Sequence, residues 1–210
     1  MNRIWVMAVV IIAGIHDPKL TESFLCKLFG DLRRRCQSGN LLIFPTQDYP
    51  AYSGLDIFNY LCSVAQTPAL SPPPRGGFGQ NPVKLPIILI CFSAGVVGAI
   101  AAAWMWQQAG GEVKAFIALD GWGVPLGGNF PIYRMSHDRF THRTSALLGA
   151  GIESFYADPP VEHLNLWSSP QTAKGWWLHR TSTGVETASP ATAKTVLSYW
   201  LKTHGESGED

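Results

Sequence analysis

The chain has 210 residues and a formal net charge of +1 at pH 7, and 46% of its residues are hydrophobic. This length predicts one domain, and the apolar content is sufficient for one sizeable core. A nearly neutral chain predicts no charge-driven surface for nucleic acid or membrane, and the basic run at residues 33–35 is expected at a solvated helix end. The four cysteines form no C-x-x-C pair and no zinc-type cluster, which favours reduced thiols and a cytoplasmic protein.

The first third of the chain predicts alternating strands and helices. Residues 4–13 form an apolar run typical of a parallel strand covered on both faces. The run resembles a signal peptide in part, but it is too short to span a membrane and stops where a buried strand would, so the chain is expected to keep its Met1 end. Residues 21–35 have helical spacing, residues 41–44 predict a short strand, and Ser53 can cap a further helix.

The remainder of the chain continues this alternation after a long flexible loop predicted over the Pro/Gly-rich residues 66–84. Strands are predicted over 86–92, 113–119 and 152–156, and helices over 94–108 and 191–203. Residues 121–150 predict loop with a short helix near 143–148, and residues 205–210 predict a disordered tail. The order predicts one α/β domain over residues 1–204, with a parallel sheet of about five to six strands and helices on both faces.

The turn between the most hydrophobic strand and the alanine-rich helix reads Cys91-Phe92-Ser93-Ala94-Gly95. A turn this sharp places the residues two before and two after the serine against backbone, so both must be small. The start of the helix directs free N–H groups at the serine. The turn resembles the G-x-S-x-G nucleophile elbow of α/β-hydrolases, with Cys91 in place of the first glycine. The alternative interpretation is a plain strand-to-helix junction in which Ser93 caps the helix. No dinucleotide or phosphate loop motif follows either central strand.

The resemblance implies a Ser-His-Asp site and assigns its other parts. Ala94 would donate one oxyanion-hole amide, and Ile15 or His16 the other, with Ile15 favoured because it directly follows Gly14. His16 and Asp17 could instead only cap the next helix. The base should follow serine and acid along the chain, which favours His163, just beyond the last predicted strand. The other candidates for the base are His137, His142, His179 and His204.

The acid should be a carboxylate at the C-terminal end of a strand. Asp120 is favoured because its strand should neighbour the strand before Ser93. Asp158 lies too close to His163 along the chain to face it easily, and Asp138 lies in a segment without a predicted strand to hold it.

Together these residues predict a serine hydrolase that cleaves a small-molecule ester or thioester without a metal or organic cofactor. Within the family, the short chain without a recognisable lid domain is most similar to thioesterases and small lipases. The aromatic residues near the site either line an apolar pocket or belong to the core: Trp122, Phe130, Tyr133 and Trp167. The alternative function is a catalytically silent binding protein of the same fold.

Overall fold

The computed structural model describes residues 7–30, 41–65, 85–180 and 186–205. Its strands are β1 (Ala8–Ile12), β2 (Leu41–Ile43), β3 (Ile87–Phe92), β4 (Val113–Leu119), β5 (Ile132–Ser136), β6 (Glu153–Ala157), β7 (Lys174–Arg180) and β8 (Glu186–Thr192). Its helices are α1 (Pro18–Phe29), α2 (Gly54–Ala65), α3 (Ala94–Gln108), α4 (Arg139–Ala146), α5 (His163–Ser168) and α6 (Ala193–Gly205). The predicted 66–84 loop lies outside the described residues, as does the predicted tail except Gly205, which ends α6. Among these helices, none combines the length and the apolar character that crossing a bilayer requires.

The strands form one sheet in the order β2-β1-β3-β4-β5-β6-β7-β8. Neighbours from β2 through β6 are parallel, whereas β7 and β8 are added antiparallel. The protein is therefore α/β, as predicted from the alternation of elements. The predicted size of five to six parallel strands was wrong, because the described sheet has eight strands and is mixed.

Three strands were missed, and two of them, β5 and β8, lack the pattern that predicts a buried strand. β5 is short and carries the polar Arg134 and Ser136 at buried positions, so it shows no continuous apolar run. β8 reads Glu-Thr-Ala-Ser-Pro-Ala-Thr, which is poor in β-branched and aromatic residues. Pro190 is tolerated in β8 because this strand lies at the edge of the sheet and needs no hydrogen-bond donor on its outer side.

Helices cover both faces of the sheet, and alternate residues of a strand pack into two separate hydrophobic cores, one on each face. Even-numbered residues of β3 pack with α1, α5 and α6, where the side chains of Phe24, Trp167 and Trp200 are almost fully buried. Odd-numbered residues of β3 pack with α2 and α3, whose helix–sheet contact includes the buried Ile57 and Trp106. β3 thus lies in the middle of the molecule and reads as a continuous apolar run.

The carboxyl ends of the parallel strands meet at one edge of the sheet. The chain passes from β1 to β2 on one side and returns to β3 on the other, so the strand order reverses beside β1. Open α/β sheets bind ligands at such switch points, beyond the carboxyl ends of the strands. The segments that follow β1, β3, β4, β5 and β6 at this edge contain the candidate functional residues.

Candidate active site

Two residues at this edge have a backbone conformation that is costly for side-chain-bearing residues. Ser93, between β3 and α3, has φ 53° and ψ −123°. Asp120, directly after β4, has φ 49°. Within the described ranges, these are the two non-glycine residues with positive φ. Such conformations cost about 1–3 kcal/mol each and concentrate at functional sites, where the surrounding structure holds them in place.

Close backbone approaches define the Ser93 turn. A Cβ atom added to Gly95 would lie 2.5 Å from the carbonyl oxygen of Ile12 and 2.6 Å from that of Ala13, so a side chain is excluded there, as the sequence argument expects. A Cβ added to Gly14 would lie 2.9 Å from the Cβ of Ser93. The end of β1 therefore packs directly against the serine.

The hydroxyl of Ser93 has no role in capping α3, because its side chain makes no cap hydrogen bond. This observation weighs against a plain helix junction. The Ser93 side chain instead lines a pocket of about 380 Å³ together with Asp120 and His163. Within the described chain its hydroxyl is not hydrogen-bonded to His163; nucleophile–base hydrogen bonds are often long in unliganded sites and tighten when substrate binds.

The proposed oxyanion donors lie beside the serine. Among the described residues, the amides of Ala94, Ile15 and His16 donate to no other backbone group. Both amides after Gly14 thus stay available, and the choice between Ile15 and His16 stays open. Asp17 caps α1 by accepting a hydrogen bond from the Lys19 amide, so the capping role weighed for this segment is fulfilled by Asp17 itself.

The structure brings Asp120 and His163 together. The Nδ1 atom of His163 lies 2.9 Å from Oδ2 of Asp120, whose side chain is almost fully buried. The His163 ring stacks on the ring of Phe92, with centroids 4.7 Å apart. The sequence predicted His163 in a loop just beyond the last strand. The structure instead places it at the start of α5, and two more strands follow. Asp120 holds the Nδ1 atom of His163 and Phe92 covers one face of its ring, so its Nε2 atom is available to a reacting group in the pocket.

The other carboxylates considered for the acid have different partners. Asp158 accepts a hydrogen bond from Nε1 of Trp176 at 3.1 Å. Asp138 caps α4 by accepting a hydrogen bond from the Thr141 amide. The expectation that Asp138 lacks a rigid support was wrong, because β5 ends two residues earlier and α4 begins at the next residue.

Three of the other histidines considered for the base do not line the pocket. His179 lies in β7, with Nδ1 3.4 Å from a carboxylate oxygen of Glu153. His142 is buried in α4, and His204 near the end of α6 lies 2.5 Å from the hydroxyl of Tyr133. Burial lowers the pKa of both His142 and His204.

His137 was the residue that sequence reasoning missed. It precedes the predicted strand over residues 152–156, so the sequence favours His163 over it as the base, but the structure places it in the pocket wall. Its backbone N–H donates to Oδ1 of Asp120 at 2.9 Å, and its Nδ1 lies 2.9 Å from Oδ2 of the same carboxylate. Its Nε2 lies 2.8 Å from Oδ2 of Asp138. The available signal was a His-Asp pair directly after a strand, and it was hidden because β5 was not recognised.

The electrostatics of the site favour the charged forms of Asp120 and His137. Burial by itself raises the pKa of Asp120, but hydrogen bonds from His137 and His163 outweigh it, so the pKa lies below its ordinary value. The hydrogen bond to Asp120 raises the pKa of His137; burial opposes this, and the nearby carboxylates of Asp120, Asp138 and Glu162 reinforce it.

Asp120, His137 and His163 are also residue types that bind metals, and their ligand atoms lie within 4.8 Å of one another. Zinc would require ligands about 2.0–2.2 Å from one ion. Four tetrahedral ligands at that distance would lie about 3.4 Å from one another. Both Nδ1 atoms lie 2.9 Å from a single carboxylate oxygen, which is the distance of hydrogen bonds from ring N–H groups. The geometry fits a proton-linked cluster better than a metal centre.

The remaining wall of the pocket is mainly apolar, with Val97, Trp122, Val124 and the methyl-bearing Thr141. Trp122 is 66% exposed at this edge, and its Nε1 donates to Thr144 in α4. Of the four aromatic residues weighed as pocket or core, Trp122 lines the pocket. The other three are buried in the core: Phe130, Tyr133 and Trp167.

Arg134 connects the two loops that follow β4 and α4. Its guanidinium is buried in β5 and donates to the carbonyl oxygens of Gly121, Val124, Leu148 and Gly149. Burial lowers its pKa to about 10, so it stays charged at neutral pH. The segments after β4 and after α4 are therefore held together by this one side chain.

A scan against family models, a search of curated proteins and a search of solved structures each found no match to this chain. An α/β architecture hosts many unrelated functions. The function is therefore inferred from the side chains and backbone of the site.

Proposed function

We propose that the protein is a serine hydrolase of the α/β-hydrolase type that cleaves an ester or thioester. The observation that carries the proposal is the strained backbone of Ser93 in the turn between β3 and α3. Ser93 lines the same pocket as Asp120 and His163, which are hydrogen-bonded to each other. Strain is retained where it serves a function, and this arrangement presents a hydroxyl, a base and an orienting carboxylate to a single cavity.

In the proposed reaction, Nε2 of His163 takes the proton of the Ser93 hydroxyl as the oxygen attacks the substrate carbonyl. The alcohol or thiol then leaves with that proton, and an acyl-serine ester remains. Water attacks the ester with His163 again as the base, which releases the carboxylic acid and restores the serine. Asp120 holds the Nδ1–H of His163 and stabilises the imidazolium that forms in each step.

The negative charge that develops on the carbonyl oxygen needs two N–H donors. Ala94 at the start of α3 offers one, reinforced by the positive end of the helix dipole. Ile15 offers the second, with His16 as the alternative, because the backbone after Gly14 runs against Ser93.

The pocket wall supports an apolar acyl group as the substrate. Among the described residues, no lysine or arginine lines the pocket, whereas Val97, Trp122 and Val124 do. Such a wall stabilises hydrocarbon by removing it from water. The cytoplasmic location and the single-domain organisation stay predictions beside this function.

The test separates an enzyme from a silent binding protein. A fluorophosphonate probe should label the wild-type chain at Ser93, and p-nitrophenyl ester cleavage should be lost in Ser93→Ala. The Ser93→Ala protein should keep its melting temperature, since the hydroxyl has no capping bond to lose. Ser63→Ala, whose hydroxyl donates to the Tyr60 carbonyl on α2, is the matched control and should react normally. Ester cleavage that survives in Ser93→Ala would contradict the mechanism, and an unlabelled, inactive wild type would favour the binding protein.

A further inference from the structure

We propose that Phe92, the residue directly before Ser93, is a positioning residue that sets the ring plane of the proposed base His163 and holds the loop that follows β1. The inference rests on the proposed function, because it concerns how the parts of that hydrolytic site are kept in place. Phe92 is fully buried and is not among the described residues that line the pocket, so it acts through its neighbours.

Four aromatic rings stack in series, and the last of them is the ring of the base. The rings of Phe24 and Trp167 are nearly parallel, with centroids 3.8 Å apart. Trp167 stacks in turn with Phe92, with centroids 5.0 Å apart and 13° between the ring planes. Phe92 stacks with His163 at 4.7 Å and 24°. The first three side chains are fully buried, so the His163 ring contacts a close-packed support that extends into the core.

The support behind Phe92 is fixed by two helices. The Nε1 atom of Trp167 donates to the hydroxyl of Thr21 in α1 at 3.2 Å, and the same helix supplies Phe24. Helix α5 carries both Trp167 and His163, one helical turn apart. The stack therefore joins α1, α5 and β3 within the core on one face of the sheet.

The carboxylate of Asp120 does not by itself fix the plane of the His163 ring. One hydrogen bond at Nδ1 leaves the ring free to turn about that bond, and the terminal torsion of a histidine side chain has a broad energy minimum. The Nε2 atom has to point at the Ser93 hydroxyl, and productive geometry tolerates errors of only about 0.5 Å or 10–20°. Flat contact with Phe92 removes this freedom, because a turned imidazole would press its edge into the neighbouring ring.

The same phenylalanine packs against the loop that follows β1. The His16 ring meets Phe92 in an edge-to-face arrangement with centroids 5.6 Å apart, and a Cβ added to Gly14 would lie 3.3 Å from the Cδ1 atom of Phe92. This loop carries the amides of Ile15 and His16, from which the second oxyanion donor is proposed. One ring thus holds both the base and an oxyanion donor in place beside Ser93.

Phe92→Leu tests the role, because it removes the flat ring and keeps a branched apolar side chain. It should lower kcat for p-nitrophenyl esters about tenfold to a hundredfold while KM changes less than about twofold, since misplaced groups fail in the transition state rather than in substrate binding. Phe116→Leu is the matched control, because Phe116 is equally buried in the adjacent strand β4 but packs in the core on the other face of the sheet. Equal kcat in the two variants, well below their melting temperatures, would overturn the positioning role.

Two substitutions one ring further back keep the inference testable where Phe92→Leu does not fold. Trp167→Leu should lower kcat in the same way, and Trp167→Phe should recover most of the loss, because a flat ring again supports Phe92. A loss of kcat as large in Trp167→Phe as in Trp167→Leu would contradict support by stacking.

Ring orientation is measured independently of catalysis by NMR of the full chain at one alkaline pH. The signals of the carbon-bound ring protons of His163, assigned with His163→Asn, should be shifted upfield by the ring current of Phe92. The shift should be lost in Phe92→Leu and kept in Phe116→Leu. Unshifted signals in the wild type would refute the stack.

The two arms separate this inference from the proposed function. If the wild type cleaves no ester and the fluorophosphonate probe does not label Ser93, the hydrolase and the positioning role fail together, even where NMR finds the stacked rings. If Ser93 is labelled and Phe92→Leu behaves as Phe116→Leu does, the hydrolase stands and the positioning role fails.

Discussion

Replacing Asp120 by asparagine tests the centre of the site with the smallest change in shape. Asparagine tolerates the positive φ of this position better than other substitutes, so the turn after β4 should persist. The carboxylate accepts three hydrogen bonds, one at Oδ1 and two at Oδ2. An amide has a single accepting oxygen, and its N–H groups would meet the N–H of at least one imidazole.

The magnitude follows from the number and kind of bonds lost. A buried hydrogen bond to a charged group contributes about 1.5–3 kcal/mol, so Asp120→Asn should lower the free energy of unfolding by roughly 2–3 kcal/mol. Turnover should fall as well, because the amide favours the tautomer of His163 that carries its proton on Nε2. In this tautomer, Nε2 cannot accept the proton of the Ser93 hydroxyl. Loss of the same tautomer control in serine proteases costs about 10⁴ in kcat, and a loss of about 10³–10⁴ is expected here.

The assay combines p-nitrophenyl ester kinetics with denaturant unfolding. Asp158→Asn is the matched control, since Asp158 is bonded to Trp176 rather than to a pocket histidine, and its turnover should stay near normal. Near-normal turnover in Asp120→Asn, with loss in Asp158→Asn, would refute the assignment of the acid.

The stability difference should also depend on pH in a defined window. The lowered pKa of Asp120 contributes stability above its unfolded value near 3.8, and this is lost as pH falls through the folded-state pKa. The raised pKa of His137 contributes stability that is complete below its unfolded value near 6.5 and is lost as pH rises through the folded-state pKa. The gap in unfolding free energy between wild type and Asp120→Asn should therefore be widest between these values.

Three further substitutions test the frame of the site. Gly95→Ala should lower the free energy of unfolding by about 3 kcal/mol or prevent folding, because the new Cβ meets backbone oxygens of β1, whereas Gly127→Ala has open space and should be neutral in thermal unfolding. Arg134→Met should lower the free energy of unfolding, measured with denaturant, by about 3–5 kcal/mol, since it leaves buried carbonyl oxygens without donors. The exposed Arg143→Met is the control and should change it little; equal losses in both variants would contradict the role of Arg134 in holding the two loops together. Trp122→Ala should lower kcat/KM for long-chain esters about tenfold relative to acetate; an equal loss for both would count against an apolar acyl site.

Local rules were sufficient for the elements with strong patterns. Hydrophobic runs predicted the region of β1 and the strands β3 and β4, and the alanine-rich segment predicted α3. Ser93 could be singled out because a strand, a small-residue turn and a helix follow one another along the chain. Asp120 could be chosen because consecutive parallel strands tend to be neighbours, and β3 and β4 do pair.

The strands missed after β4 could not be predicted from local patterns, because they depend on tertiary contacts. β5 has buried polar residues because Arg134 donates to carbonyl oxygens in two loops, 13 positions earlier and 14 positions later in the chain, and no strand pattern encodes such partners. β7 pairs antiparallel with β6, and β8, which has no apolar run of its own, pairs antiparallel with β7.

The amino-acid sequence by itself thus determined the α/β class and the strand-to-helix turn at Ser93, because both depend on the hydrophobic pattern and short-range sterics. It favoured Asp120 through strand adjacency and His163 through the chain order of the family that the turn resembles, and both roles stay predictions. Only the tertiary structure decided that His137 joins them. Its two carboxylate partners follow different elements, and Asp120 lies 17 positions earlier in the chain. Their meeting depends on β5 pairing beside β4, which places both strand ends at one edge and turns a histidine set aside in the sequence into the neighbour of the proposed base.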